Sequence, residues 1–154
     1  MGCIVALPGV AVGELLHGGL LGPFIAAPII EESLKPSGVY FLLAKWPQAL
    51  PNRFYTALLA ALTGLGFALV ENELYLRVYY PEHSHEMVLI RYTASLSLHV
   101  VASFIFGLGI NQKLIAAVNG EIPMFSANKR FFITAMSLHA AYNIAAVIFF
   151  RNVH

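Results

Sequence analysis

Four apolar stretches of this chain each carry ionisable or amide side chains. Glu31, Glu32 and Lys35 lie in one, Glu71 and Asn72 in the next, His99 in a third, and His139 and Asn143 in the last. Carboxylate, histidine and asparagine together suit hydrolysis by water. A buried glutamate acts as general base, histidine orients water or binds a metal, and an amide N–H donates to the developing oxyanion. Alternatively, His99, His139 and Glu71 make a three-ligand zinc set with one open position. Residue types alone leave zinc and a metal-free route both open.

Other chemistries are excluded more firmly. The chain has no aspartate, so a paired-aspartate membrane protease is impossible. There is no Gly-x-Ser-x-Gly elbow. His85-Glu86 is followed by Leu89 where a zincin motif needs histidine. Cys3, the single cysteine, can form no internal disulfide and stands too near the terminus to be an attractive nucleophile.

The elements that must position these groups follow from composition. Hydrophobic residues make up 58% and charged residues 11%, and the mean hydropathy is +0.72. Soluble domains carry about 25% charged residues, so this chain is expected to face lipid. It reads as a single membrane-embedded, all-α domain over residues 1–154, a polytopic bundle of about five transmembrane helices around a polar site. Residues 3–16 are short for a span and read as the tail of a longer N-terminal helix. Gly18-Gly19 interrupts the pattern, and Glu14 and His17 fall at an interface.

Further helices are expected over about 20–44, kinked at Pro28 and Pro36, then 53–79, 87–110 and 129–150, with a polar loop at 111–128. Trp46, Tyr79 and Tyr80 mark interfaces, and His83 and His85 fall in a solvated loop. Lys35, Lys45, Arg53, Lys113, Lys129 and Arg130 fall on one side, and Arg77, Arg91 and Arg151 on the other, which makes the first side cytoplasmic. A net charge of +1 gives no footprint for nucleic acid. Ala6 leaves the myristoylation pattern incomplete, and the first apolar stretch lacks the basic flank of a cleaved signal peptide.

Each charge placed inside a bilayer costs at least about 2.5–3.5 kcal/mol on insertion scales, so these residues demand a reason. Counted from the presumed cytoplasmic ends, Glu31, Glu71, His99, His139 and Asn143 fall roughly 22, 27, 18, 15 and 21 Å deep. The count assumes that the second helix runs on past Pro36. Glu31 and Lys35 share a face and can pair, as do His139 and Asn143. Arg91, Ser95, His99 and Ser103 form a stripe at the same step. Gly64 and Gly66 allow a close helix approach. Each residue alone has a packing explanation: an ion pair, a helix-packing histidine, an amide between helices. One site explains all of them together.

The segments Glu31-Glu32-Ser33-Leu34-Lys35, Gly66-Phe67-Ala68-Leu69-Val70-Glu71-Asn72, Arg91 through His99 to Gly107, and His139-Ala140-Ala141-Tyr142-Asn143 resemble, in order, the PrsW family of intramembrane proteases. That family is similar to the CAAX prenyl-protease and bacteriocin-processing group. The chain has Phe67-x-x-x-Glu71 where the CAAX group has Phe-x-x-x-His. The resemblance implies an intramembrane endopeptidase, described for PrsW as a metalloprotease that cuts membrane-anchored anti-sigma factors and for the CAAX relative as a metal-free glutamate hydrolase. It also implies a multi-pass protein of a prokaryotic plasma membrane. Glu31 is then the expected base, with Glu32 and Lys35 holding its geometry. His99 and His139 orient water or bind zinc, Asn143 serves the oxyanion, and Glu71 and Asn72 complete the shell. The rival readings are a proton-coupled transporter and a bis-histidine haem protein ligated by His99 and His139.

Overall fold

The structure is a computed structural model that describes residues 22–123 and 126–153. The described residues are helical, without strands. The expected N-terminal segment, with Glu14, His17 and the Gly18-Gly19 break, lies outside them. A π-helical turn, Gly22–Ala26, leads into α1, Ala27–Leu34, and α2 follows as Ser37–Lys45. Helix α3, Arg53–Leu74, continues as a π-helical turn to Tyr79. Next come α4, His85–Ile90, a π-helical turn Arg91–Ser95, and α5, Leu96–Leu108. Helix α6 is Gln112–Val118 and α7 is Lys129–Val153.

Among the described residues, three continuous helices are long and apolar enough to cross a membrane: Arg53–Tyr79, His85–Leu108 and Lys129–Ile148. Their ends are set locally. The Asn52 side chain accepts from the Tyr55 N–H at 2.9 Å, and that of Ser84 from Met87 N–H at 3.2 Å, so each caps an otherwise orphan helical donor. Outward, Phe54, Leu58, Leu62, Leu69, Val101, Ile133, Ile144 and Ile148 are exposed. An apolar surface this continuous suits hydrocarbon and would be a liability in water.

Two expectations are corrected here. The run expected from about 20 to 44 is not one kinked helix. It divides at Lys35–Pro36, because Pro36 has no N–H to continue the ladder and takes φ −84°, ψ 20°. The polar loop 111–128 also contains α6, started by the Asn111 side chain accepting from Lys113 N–H at 3.0 Å. It ends at Val118 with Asn119 as its cap, and Gly120 follows with φ 77°, a conformation that glycine adopts at no steric cost.

The division at Pro36 separates two kinds of interior. Beyond it, Val39 and Leu43 of α2 join Ala60, Ala102, Phe106, Ile110 and Ala135 in an apolar core. Before it, α1 presents Glu31, Glu32 and Lys35 to α3, α5 and α7.

Helices α3 and α5 approach closely at glycine. A Cβ on Gly64 would fall 2.5 Å from both the His99 carbonyl oxygen and Ser103 Oγ, and one on Gly107 would fall 2.6 Å from the Ala60 Cβ. Gly64→Ala should therefore cost about 1–3 kcal/mol through overpacking and displace the backbone carrying His99. Gly38→Ala, in open space, should be neutral or stabilising by up to about 1 kcal/mol. Thermal unfolding in detergent distinguishes the two, and equal effects would contradict the close approach.

Candidate active site

Six side chains from four helices meet in the interior. Relative exposures are 3% for Glu31, 0% for Glu32 and Lys35, 7% for Glu71 and 2% for both His99 and His139. The meeting occurs although the second segment is broken. The break falls one residue beyond Lys35, so Glu31, Glu32 and Lys35 remain on one rigid turn. Lys35 N–H still donates to the Glu31 carbonyl at 2.9 Å.

Lys35 is the centre. Its Nζ lies 2.6 Å from Glu32 Oε1, 3.3 Å from Glu31 Oε2 and 2.7 Å from His99 Nδ1. It also stands over the Phe67 ring, 4.4 Å from the centroid, a cation–π contact within a desolvated interior. The expected pairing of Glu31 with Lys35 is present, but the shorter contact is to Glu32. Buried this way, Lys35 does not count toward the basic residues that set orientation.

Glu32 is the second junction. Besides Lys35, its Oε1 accepts from His139 Nδ1 at 2.9 Å, and Oε2 receives Ser103 Oγ at 3.5 Å. Glu31 is different. Its buried Oε2 makes no hydrogen bond, is ion-paired with Lys35 at 3.3 Å, and has His139 Nε2 facing it at 3.8 Å. A buried acceptor left this way normally calls for an explanation such as a ligand, an ion or a reacting water.

Glu71 and Asn72 form a clamp on the far side of His99. Glu71 Oε2 lies 3.0 Å from His99 Nε2 and accepts from Arg91 Nη2 at 2.9 Å. Arg91 Nε donates to Asn72 Oδ1 at 2.9 Å, and Asn72 Nδ2 donates to the Arg91 carbonyl at 2.8 Å. The π-helical turn at Arg91–Ser95 carries Arg91 to this clamp, and its guanidinium stacks 3.8 Å from the Tyr75 ring centroid. Asn143, half-buried, lies one turn along α7 from His139.

The sequence singled out Arg91 as a member of a stripe, an orientation charge and the start of a motif segment, Ser103 as a member of that stripe, and Phe67 as a motif residue. In the structure they hold Glu71, Glu32 and Lys35 respectively. The signal for Arg91 was its two-turn spacing from His99. Arg91→Met should leave Glu71 short of its cation and cost about 3 kcal/mol. Arg91→Lys should recover only part of this, since an ammonium cannot make both contacts and stack. The test is thermal unfolding of both variants, and a Met variant as stable as the native protein would contradict it.

Among the described residues, one group has metal-ligand spacing. Glu31, His99 and His139 offer donor atoms that all lie within 4.8 Å of one another. Glu71, the carboxylate expected beside the two histidines, is engaged by Arg91 and His99 instead. The haem reading fails on geometry. The two imidazole rings touch edge to face, with centroids 5.0 Å apart, which leaves no space for a macrocycle between them.

Long apolar helices enclosing a buried carboxylate–ammonium–histidine cluster define an integral membrane protein with ionisable groups in its interior. The sequence matches the family model of the PrsW family intramembrane metalloproteases over residues 3–153, nearly the whole chain. The chain belongs to that family and is accordingly an intramembrane protease. No curated protein and no solved structure matches it.

Proposed function

We propose that the protein cleaves membrane-anchored protein segments with water activated beside Glu31 and His139, either by Glu31 as base or by a metal held there, as the family's description as metalloproteases implies. The observation that carries this reading is Glu31 Oε2, buried without a hydrogen-bond partner and facing His139 Nε2. An oxygen acceptor beside a histidine nitrogen can hold a water between them and take its proton. Where no metal is bound, Glu31 is the general base. Glu32 holds His139 by its Nδ1 and pairs with Lys35, which fixes both groups relative to Glu31. Asn143 stabilises the oxyanion. Glu71, Asn72 and Arg91 hold His99 from behind.

The donor set also fits a metal. Two imidazoles and a carboxylate are a common set of zinc ligands, and the Glu31 oxygen that makes no hydrogen bond is one of the three. Glu31, His139 and His99 would hold the ion. Bound there, it would make water more acidic and polarise a peptide carbonyl. A metal-free reaction is favoured by one specific observation: Lys35 already contacts Glu31 and His99. The substrate class, anti-sigma-factor-like membrane proteins, and a prokaryotic plasma membrane location follow the family resemblance.

The test is metal content by mass spectrometry of detergent-purified protein, beside the His99→Ala, His139→Ala double variant. The expected result is near-stoichiometric zinc that the variant loses. Native protein that cleaves a membrane peptide while free of metal would overturn the metal part and leave glutamate-activated water.

A further inference from the structure

We infer that Lys35 is the resident cation of the donor set, and that metal loading is an exchange in which its ammonium gives up His99. The inference rests on the reading of Glu31, His99 and His139 as the metal ligands.

An imidazole nitrogen has a single in-plane lone pair or a single proton, never both. Lys35, between two carboxylates, is an ammonium with three donors and no acceptor. Its contact with His99 Nδ1 at 2.7 Å therefore uses that nitrogen's lone pair. The His99 proton must then lie on Nε2, where it donates to Glu71 Oε2 at 3.0 Å. Both nitrogens of His99 are committed.

His139 has the opposite arrangement. Glu32 Oε1 only accepts, so the 2.9 Å contact requires a proton on His139 Nδ1. Its Nε2 lone pair is thus turned toward Glu31. The site as it stands offers one free donor, His139 Nε2, and a second, Glu31 Oε2, that makes no hydrogen bond and is held only by its ion pair with Lys35. The third is held by Lys35, whose Nζ is also 3.3 Å from Glu31.

A metal that takes His99 Nδ1 must displace the ammonium, since one lone pair cannot serve both. Taking Nε2 instead would need the proton removed and the Glu71–Arg91 clamp opened. The ammonium is the easier group to move. Its stem has four rotatable methylenes, and Glu32, at 2.6 Å, can retain it after it leaves His99. Lys35 is thus a positioning residue: it sets the His99 tautomer, keeps two carboxylates compatible before loading, and limits metal affinity.

The test is titration of detergent-purified protein with cobalt(II), read by its ligand-field absorption, for the native chain, Lys35→Met and Lys35→Arg. Methionine fills the space without competing for the lone pair, so Lys35→Met should bind cobalt about 10- to 100-fold tighter. Lys35→Arg keeps a bulkier donor against His99 and should bind more weakly than the native chain. Lys35→Met binding no tighter than native protein overturns the exchange. If Lys35→Met does not fold, Lys35→Arg decides, and undiminished binding there overturns it. Native protein that binds no cobalt at all would instead contradict the metal part of the proposed function. A second readout needs no variant of Lys35. Nitrogen NMR of histidine-labelled, metal-free native protein should show His99 protonated at Nε2 and His139 at Nδ1. Both histidines in the same tautomer overturns the inference.

Discussion

Glu31→Gln should leave the fold intact and slow cleavage of a membrane-anchored peptide by about 100- to 10,000-fold, the usual contribution of a positioned general base. The structure explains why the two effects separate. Glu31 Oε2 makes no hydrogen bond that a glutamine would lose. A glutamine can still turn its carbonyl toward Lys35, which lies 3.3 Å from the native oxygen. Its amide can face the His139 Nε2 lone pair, 3.8 Å away in the native site. What it lacks is the basicity to take a proton from water. The check is a pair of measurements on the same preparation: thermal midpoint in detergent and initial rate in proteoliposomes. A variant that turns over at the native rate sinks the assignment of the base.

Glu32→Ala should behave in the opposite way, losing stability first. Glu32 is 0% exposed, and its Oε1 accepts from Lys35 at 2.6 Å and from His139 at 2.9 Å. Its removal leaves a buried ammonium whose only remaining carboxylate is Glu31, at the longer distance, and strips His139 of the partner that fixes its tautomer. Breaking one side of a buried ion pair costs about 3–5 kcal/mol, a fall in thermal midpoint on the order of 10 °C for a chain of this size. Glu32→Gln keeps an acceptor oxygen and should lose less. Equal midpoints for Glu32→Ala and the native protein would mean that the cluster does not bear on stability.

The contrast between neighbouring glutamates was only half legible in the sequence. Burying charge in a bilayer is costly, so carboxylates, lysine and histidines inside apolar runs announced a common site. The 3.6-residue period put Glu31 and Lys35 on one face. Spacing along a helix does not give the rotation of that helix against its neighbours. The sequence therefore could not tell that Glu31, rather than Glu71, would join His99 and His139.

Arg91 was hidden for a related reason. It meets Glu71 across 20 positions of chain, by way of a π-helical turn whose register a simple period does not anticipate. The bounds of the continuous helices Arg53–Tyr79 and His85–Leu108, and the start of α7 at Lys129, were legible to within about two residues because long apolar runs flanked by asparagine, serine, tyrosine or charge have few alternatives. The division at Lys35–Pro36 was not, since proline inside a membrane helix can kink it without ending it. Depth counted along a continuous helix was thus right about convergence for an incomplete reason. It is the rigid turn from Glu31 to Lys35, not the whole helix, that carries three polar groups to the same place.

The central claim is that the buried glutamate–histidine cluster hydrolyses peptide bonds in membrane-anchored chains. Its most direct test is to reconstitute the purified protein with a membrane-anchored peptide in water enriched in heavy oxygen and to weigh the products. The account predicts two fragments, the new C-terminal carboxylate carrying one heavy oxygen, and their absence from the Glu31→Gln reaction. Fragments formed equally well by Glu31→Gln would contradict it.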